Sequence, residues 1–413
     1  MMAGWPTKRM EELCEVTSSK RIYAKELCAT GVPFYRSKEI IEKLNGQETH
    51  SNPLFIPEVR YQEILRLTGA PIEGDLLLTS RGTLGVPYLV TKSDRFHFAD
   101  GNLTWFRHFS GLDSAYLKFF LLSPEGKAEL ARCVIGSSQA AYTIAALKKL
   151  TISVPPLLVQ RHIAGILSAY DELIKNNQRR IRLLEEMARK LYEEWFVNFR
   201  FPGNEGLRRI ASLLGDIPQG WEAVAFTDIA DVLSGGTPKT DMAEYWDGEI
   251  PFFTPRDVPS CFYARETLKH VTERGLLKCA SELYPPDTVF ITARGTVGKV
   301  ALPSVPMAMN QSCYALRGKS GMPQRFLFLM TLRQVDYLKT NTGGATFDTI
   351  IVDTFRRMQV VKPPHDLVAR FTRQTDAIFE QINNLERQTA NLRQTRDLLL
   401  PRLLSGQLNL ETD

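Results

Sequence analysis

The sequence predicts a mixed α/β protein of the α+β type: two tandem globular domains joined by two long antiparallel coiled-coil helices, related as a pseudo-twofold. Three observations carry this. The chain writes TSRGTLG at 79–85 and TARGTVG at 292–298. A double proline follows each copy, Pro155-Pro156 and Pro363-Pro364. Beyond each double proline, apolar residues recur at steps of four and three along a helix. At 413 residues the chain is too long for one ordinary core, so two or three domains are expected.

Repetition is read first, because it sets the units for everything else. Gly4-Trp5 matches Gly220-Trp221, and VPFYR (32–36) resembles IPFFT (250–254). Asn102 falls on Asn310 and Thr143-Ile144 on Thr349-Ile350. The order is kept while the offsets drift, as in diverged copies whose loops differ in length. Within each copy a mixed region comes first. DLLLTS, VPYLV and TVFITA are short β-rich pieces bounded by Gly and Pro, and SAYLKFFLLS reads as a helix.

The period then changes. Ile163, Leu167, Tyr170, Ile174, Asn177, Ile181, Leu184, Ala188, Leu191 and Trp195 form one heptad seam. Phe371, Thr375, Ile378, Ile382, Leu385, Thr389, Leu392, Arg396, Leu399 and Leu403 form a second in the same phase. Sustained 3.5-residue spacing predicts coiled-coil packing, over roughly 50 Å for each seam. Antiparallel pairing of the two helices covers both stripes and places one globular domain at each end of a rod. The seam midpoints then set Asn177 opposite Thr389, where two polar side chains can hydrogen-bond, Ile181 opposite Leu385 and Leu184 opposite Ile382. FRFPGNEG (199–206) ends the first helix. The expected boundaries are 1–152 for the first domain, 153–200 for the central helix, 201–217 for a linker, 218–358 for the second domain and 359–413 for the C-terminal helix.

Composition narrows the chemistry. The longest apolar runs, FFLL and FLFLM, fall far short of a membrane span, and MMAGWPTKRM lacks the apolar core of a signal peptide. No membrane partner and a cytoplasmic location are expected. Six scattered cysteines and six histidines show no metal spacing, so no metal site is expected. A net charge of +5 mildly favours a polyanionic partner. The GKV after TARGTV is not a P-loop, since Ala293 stands where a Gly is needed and Val300 where Ser or Thr is needed. VPPL, YPPD and KPPH do not make the Asp/Asn-Pro-Pro-Tyr/Phe motif of an adenine methyltransferase. Asp113, Glu125 and Lys127 resemble a nuclease set only superficially, because Pro124 and Gly126 read as a loop ahead of a helix at KAELARC. Neither catalysis nor a cofactor of its own is expected.

The order of parts carries a resemblance: a globular domain, SVPPLLVQRHIAGILSAYDELIKNNQRRIRLLEEMARKLYEEWF, a FRFPG break, GDIPQGW, a second domain, VVKPP, and a helix ending LLLPRLLSGQL. This resembles the DNA specificity subunit of type I restriction–modification systems across essentially the whole chain. The resemblance implies a non-catalytic subunit whose two target recognition domains each read half of a bipartite, asymmetric duplex DNA site. It implies that the helices, including the seam residues above, space the domains and dock two methyltransferase subunits, with motor-nuclease subunits recruited to the assembly. S-adenosylmethionine, ATP and magnesium would belong to those partners. Two other readings stay open: a coiled-coil scaffold with two protein-binding domains, and the recognition subunit of a system with fused nuclease and methyltransferase.

Candidate contacts follow from the repeats. Gly82, Gly85, Gly295 and Gly298 let backbone N–H groups face outward. Around them Ser80, Arg81 and Thr83 in the first copy, and Arg294, Thr296 and Lys299 in the second, could meet phosphates or a guanine edge. The same residues equally fit a strand–turn–strand corner with solvated side chains. Arg36, Lys38, Arg256 and Asp257 follow matched apolar strands and could reach a groove or be surface charge. Gln139 with Tyr142, and Phe347, lie in small polar loops (135–143 and 342–349) that suit close approach to DNA or are plain connections. Asn102 and Asn310 fit turn chemistry. Asn177 fixes register, and the basic face QRRIRLLEEMARK is either a solvated flank or a docking face.

Overall fold

The structure is a computed structural model that describes residues 4–44, 46, 53–136, 139–206, 208–341 and 349–408. Its contacts divide the chain into two compact units, Met1–Asn176 with Ala390–Asp413, and Asn177–Thr389.

The first unit begins with β1 (Thr7–Arg9), β2 (Glu15–Thr17), β3 (Val32–Tyr35), α1 (Ser37–Leu44), β4 (Phe55–Ile56) and α2 (Glu58–Leu67). The apolar run in DLLLTS becomes β5 (Leu76–Thr79), buried at every residue because it has a paired strand on either side. With β6 (Pro87–Leu89), β7 (His97–Phe98) and β8 (Leu103–Arg107), two sheets form: an antiparallel one ordered β2-β8-β5-β6, and β4-β3-β7 with β3 parallel to β7. Next come α3 (Ser114–Leu122) and α4 (Pro124–Arg132). Tyr116, Leu117 and Phe120 of α3 share a core with Leu76, Leu78 and Phe106 of the sheet. The expected loop before KAELARC is instead helix. Pro124 opens α4, and the Ser123 hydroxyl accepts the Gly126 N–H at 3.0 Å, an N-cap with proline where no N–H is needed. Asp113 caps α3 by accepting from the Tyr116 N–H at 3.0 Å. The hairpin of β9 (Val134–Ile135) and β10 (Ala141–Tyr142), α5 (Ile144–Lys148) and β11 (Thr151–Ser153) follow, and β11 pairs with β1. The chain then enters α6 (Leu157–Tyr192).

In the second unit a hairpin, β12 (Arg209–Ser212) with β13 (Gly215–Pro218), fills the stretch expected as linker. Beyond it lie β14 (Glu222–Ala225), α7 (Phe226–Ile229), β15 (Ala230–Ser234), β16 (Trp246–Phe253), β17 (Tyr263–Ala264), β18 (His270–Val271) and α8 (Glu273–Leu276). Then come β19 (Val289–Thr292), β20 (Val300–Pro303), β21 (Ala308–Met309), β22 (Cys313–Gly318), α9 (Gln324–Asn341), α10 (Val352–Arg357), β23 (Gln359–Lys362) and α11 (His365–Leu404). The sheet order β15-β22-β19-β20 reproduces β2-β8-β5-β6, with β17 added at its edge. The order β18-β16-β21 reproduces β4-β3-β7, including one antiparallel and one parallel neighbour, and β14–β23 reproduces β1–β11. The duplication is therefore one of topology.

Strand partners also correct two of the matched pairs. Thr79 faces Leu103 and Thr292 faces Cys313, which puts Asn102 level with Ser312 rather than Asn310. The Tyr142 N–H bonds to Ser80 O (3.1 Å) and the Ile350 N–H to Ala293 O (2.9 Å), so Thr143-Ile144 aligns with Ile351-Val352 rather than Thr349-Ile350. Turn lengths differ between the copies, and dipeptide identity cannot register that.

Both heptad seams are real. Every seam position in α6, in its continuation through Trp195, and in α11 is buried or half-buried. Within the first unit, Ile163 and Leu167 share a core with Leu400, Leu403 and Leu404, and Asp171 pairs with Arg396 at 2.7 Å. Within the second, Ile181 and Ala188 share a core with Phe371, Ile382 and Leu385, and Trp195 meets Phe371 at 5.5 Å between ring centroids. In each unit the helices therefore run antiparallel. The expected hydrogen bond between Asn177 and Thr389 does not form, because the buried Thr389 hydroxyl has no partner. The register there is carried instead by apolar packing, with Ile181, Ile382 and Leu385 in one core. The first helix ends in a π-helical turn, Glu193–Val197, closed by the Asn198 N–H on Glu193 O at 2.8 Å. Its wider turn leaves the adjacent Trp195 and Phe196 both buried, and Phe196 stacks edge-on against Phe326 and Phe371 at 4.8 and 4.9 Å.

Candidate nucleic-acid interface

The twice-written heptapeptide folds into the same loop in each unit, and its threonine is the reason. Thr79 is buried, and its hydroxyl accepts the Val86 N–H at 2.9 Å while its carbonyl accepts the Gly85 N–H at 2.9 Å. Thr292 is buried, and its hydroxyl accepts the Lys299 N–H at 3.0 Å while its carbonyl accepts the Gly298 N–H at 2.9 Å. Gly82 and Gly295 both have φ +77°, which an L side chain would strain. The Thr and Gly residues thus build the turn, and the arginine is left over. Arg81 and Arg294 are exposed at the two apices, and neither guanidinium bonds to a described residue.

In the first unit other loops meet at this apex. The Ser37 hydroxyl, at the start of α1, is within bonding distance of Arg81 O (3.0 Å) and Asn102 O (3.1 Å). Arg81 also bridges to Ala141, which draws the Gln139–Tyr142 segment alongside. Gln139 and Thr83 are exposed. Arg36 is half-exposed and forms a fork with Glu39, and Lys38 is exposed with Glu42 at 3.5 Å. Burial pushes the Glu39 carboxyl up, but the bonds from Arg36 outweigh this and hold it below the usual range. Two expected contacts point elsewhere. Ser80 is 1% exposed, with its hydroxyl on Thr104 Oγ1 at 2.7 Å, so it belongs to the core rather than the surface. Tyr142 is half-buried beneath the loop, and burial raises its hydroxyl pKa. Its oxygen lies 3.1 Å from where a Cβ on Gly85 would stand, so it props the turn.

In the second unit Arg294, Thr296, Lys299 and Arg256 are all exposed. Pro255 approaches Gly295, its Cβ 4.0 Å from the position a side chain there would take, which sets Arg256 near the loop. Asn310 accepts the Ser312 N–H on Oδ1 at 3.0 Å, the turn chemistry expected of it. Phe347 lies outside the described residues.

Sequence reasoning missed several groups that border these loops. Glu39 accepts the backbone N–H three residues earlier at 2.9 Å, as Asp257, which the sequence did single out, does in the second unit at 2.8 Å. Extending the VPFYR/IPFFT match by three positions would have carried Asp257 onto Glu39. Arg21 with Asp100, and Thr237 with Gln311, lie on the neighbouring turns and carried no motif. The seam residues are packed within the chain and so serve the coiled coil. The apolar side chains left outward on the long helices are others, among them Ile166, Leu173, Leu183, Met187 and Leu398. Among the described residues no set of three or more His, Cys, Asp or Glu is placed to hold a metal ion, and no helix is long and apolar enough to cross a membrane.

Comparison with known proteins agrees with the fold and the repeat. The family model described as "Type I restriction modification DNA specificity domain" matches residues 2–186 and again 218–395. The chain is 30% identical over 154 residues to the type I restriction enzyme MjaIX specificity subunit of Methanocaldococcus jannaschii, a match spanning 36% of each chain. Over 357 residues it is 22% identical to the HindI specificity subunit of Haemophilus influenzae, covering 70% of this chain and 76% of that one. The crystal structure of a type I restriction–modification S subunit from M. genitalium shares the fold at a TM-score of 0.59 and 14% identity, over 97% of this chain and 96% of that one. With two copies of the domain, two units of matching topology and a heptad helix after each, the chain belongs to the DNA specificity subunits of type I restriction–modification systems.

Proposed function

We propose that this chain is the non-catalytic reader of a type I restriction–modification enzyme, with each unit reading one half of a bipartite, asymmetric duplex DNA site. The observation that carries the reading is the pair of apex loops. Both copies keep the same backbone frame with an exposed arginine that has no partner among the described residues, while the side chains around it differ. A common frame suits a common ligand, and differing side chains suit different half-sites. In the second unit the outward Leu183 and Met187 of α6, with the exposed Arg179, Arg180 and Arg182 of the same helix, offer a face for a methyltransferase subunit; two such subunits would carry S-adenosylmethionine. ATP and magnesium would serve motor-nuclease subunits joined through them.

The test is domain exchange. Replacing residues 1–150 by the matching domain of another specificity subunit, with the methyltransferase subunits present, should change one half of the methylated site. Methylome sequencing that shows both halves altered would refute independent readers.

A further inference from the structure

After β3 the first unit holds an arginine in a fixed orientation. Arg36 donates from Nη2 to Glu39 Oε1 at 2.6 Å and from Nε to Oε2 at 3.2 Å, while its backbone N–H donates to Oε2 at 2.9 Å. The Glu39 side chain is 2% exposed and that of Arg36 is 41% exposed. The acid is the anchor, and the guanidinium is what faces out. With Nε and one Nη2 hydrogen held, Nη1 and the remaining Nη2 hydrogen form a free edge that suits two acceptors side by side. The next residue, Ser37, fastens this corner to the carbonyls of Arg81 and Asn102.

The second unit repeats the frame with other chemistry. Thr254 stands where Arg36 does and Asp257 where Glu39 does, since Tyr35 and Phe253 occupy matching places in β3 and β16. Asp257 Oδ2 accepts the Thr254 N–H at 2.8 Å and its hydroxyl at 2.6 Å, and Oδ1 accepts the Leu268 N–H at 2.7 Å. Both oxygens are spent on Thr254 and Leu268, and position 254 presents no cation. Groups that only steady the DNA backbone serve any sequence, so both copies can share them. A group present in one copy alone, in a conserved frame, can distinguish the half-sites.

We propose that Arg36 reads a guanine, through N7 and O6 in the major groove, in the half-site of the first unit, and that Glu39 is the positioning residue that keeps its fork aimed. The inference rests on the DNA-reading function proposed above. It is tested with the full chain assembled with its methyltransferase subunits, by equilibrium binding to duplexes in which each base pair of the first half-site is varied in turn. Arg36→Lys keeps the charge but loses the fork, so discrimination should fall roughly 5- to 150-fold at one G·C pair, with the other positions and the salt dependence unchanged. Glu39→Gln still accepts the Arg36 N–H through its amide oxygen, and it should relax the same base pair more weakly. Unchanged discrimination in Arg36→Lys, or equal weakening on every duplex, overturns the guanine contact. Relaxation by Arg36→Lys with none by Glu39→Gln overturns the positioning role. A wild-type complex with no sequence preference would instead overturn the DNA-reading function itself.

Discussion

Glu185 offers a quantitative test of the second unit. It lies on α6, is 6% exposed, and accepts the Phe262 N–H at 2.5 Å. Burial raises its pKa from 4.5 to about 7, opposed by the Phe262 bond and by Arg189 and Arg182, and assisted by Glu386. The unfolded chain releases this proton near the ordinary carboxylate value, whereas the folded one keeps it until near neutrality. Its contribution is therefore fully present below the unfolded pKa and is lost as pH rises through about 7. At about 1.4 kcal/mol per pH unit, a shift of this size makes the ionised form cost about 3 kcal/mol at pH 8. Glu185→Gln removes the charge and keeps an oxygen for the Phe262 N–H. The variant should match wild type near pH 4.5 and become more stable by up to about 3 kcal/mol at pH 8. Hydrogen exchange of the core strand Val289–Thr292, compared between the two proteins at each pH, cancels intrinsic exchange rates and the other titrating groups. A stability difference that stays constant from pH 5 to pH 8 would refute the argument.

Arg81→Ala and Arg294→Ala separate phosphate from base contact. Each should either weaken binding on all duplexes and lower the salt slope by about one, or cost about 1–3 kcal/mol at a single base pair. Unchanged affinity and specificity in both variants would leave the loops as turns alone. Thr292→Val should destabilise the second unit by about 1–3 kcal/mol in chemical denaturation, since the Lys299 N–H loses its acceptor at near-constant side-chain volume. Thr79→Val should do the same in the first unit through Val86. The isolated chain, supplied with S-adenosylmethionine, ATP and magnesium, should neither methylate nor cleave DNA. A protection assay on a preparation that mass spectrometry shows to be free of other subunits checks this.

The duplication and the seams were legible in the sequence because they are periodic and long. Ile163 through Trp195 repeats one physical requirement, burial on one helix face, many times over. The sheet order was not legible, since pairs such as β3 with β7 join segments far apart in the chain through backbone groups that every residue carries. The apex arginines were found because their loop is written twice. Whether a neighbour is available could not be read in the same way. Ser80 looks as polar and as close to the apex as Thr83, yet the pleat turns it toward Thr104 and into the core. Glu39 went unnoticed because a lone carboxylate after a strand reads as surface charge until burial shows that it grips Arg36.

The packing of α6 against α11 also bears on how the chain is made. The second unit is one uninterrupted stretch, Asn177–Thr389, so all its parts have been synthesised before the last turns of α11 exist. The first unit is closed by residues from the far end of the sequence, with Leu400, Leu403 and Leu404 covering Ile163 and Leu167. On the ribosome, the domain translated first is therefore the one completed last. Until residue 404 emerges, the apolar stripe of Ile163 and Leu167 stays uncovered, a standing target for chaperones.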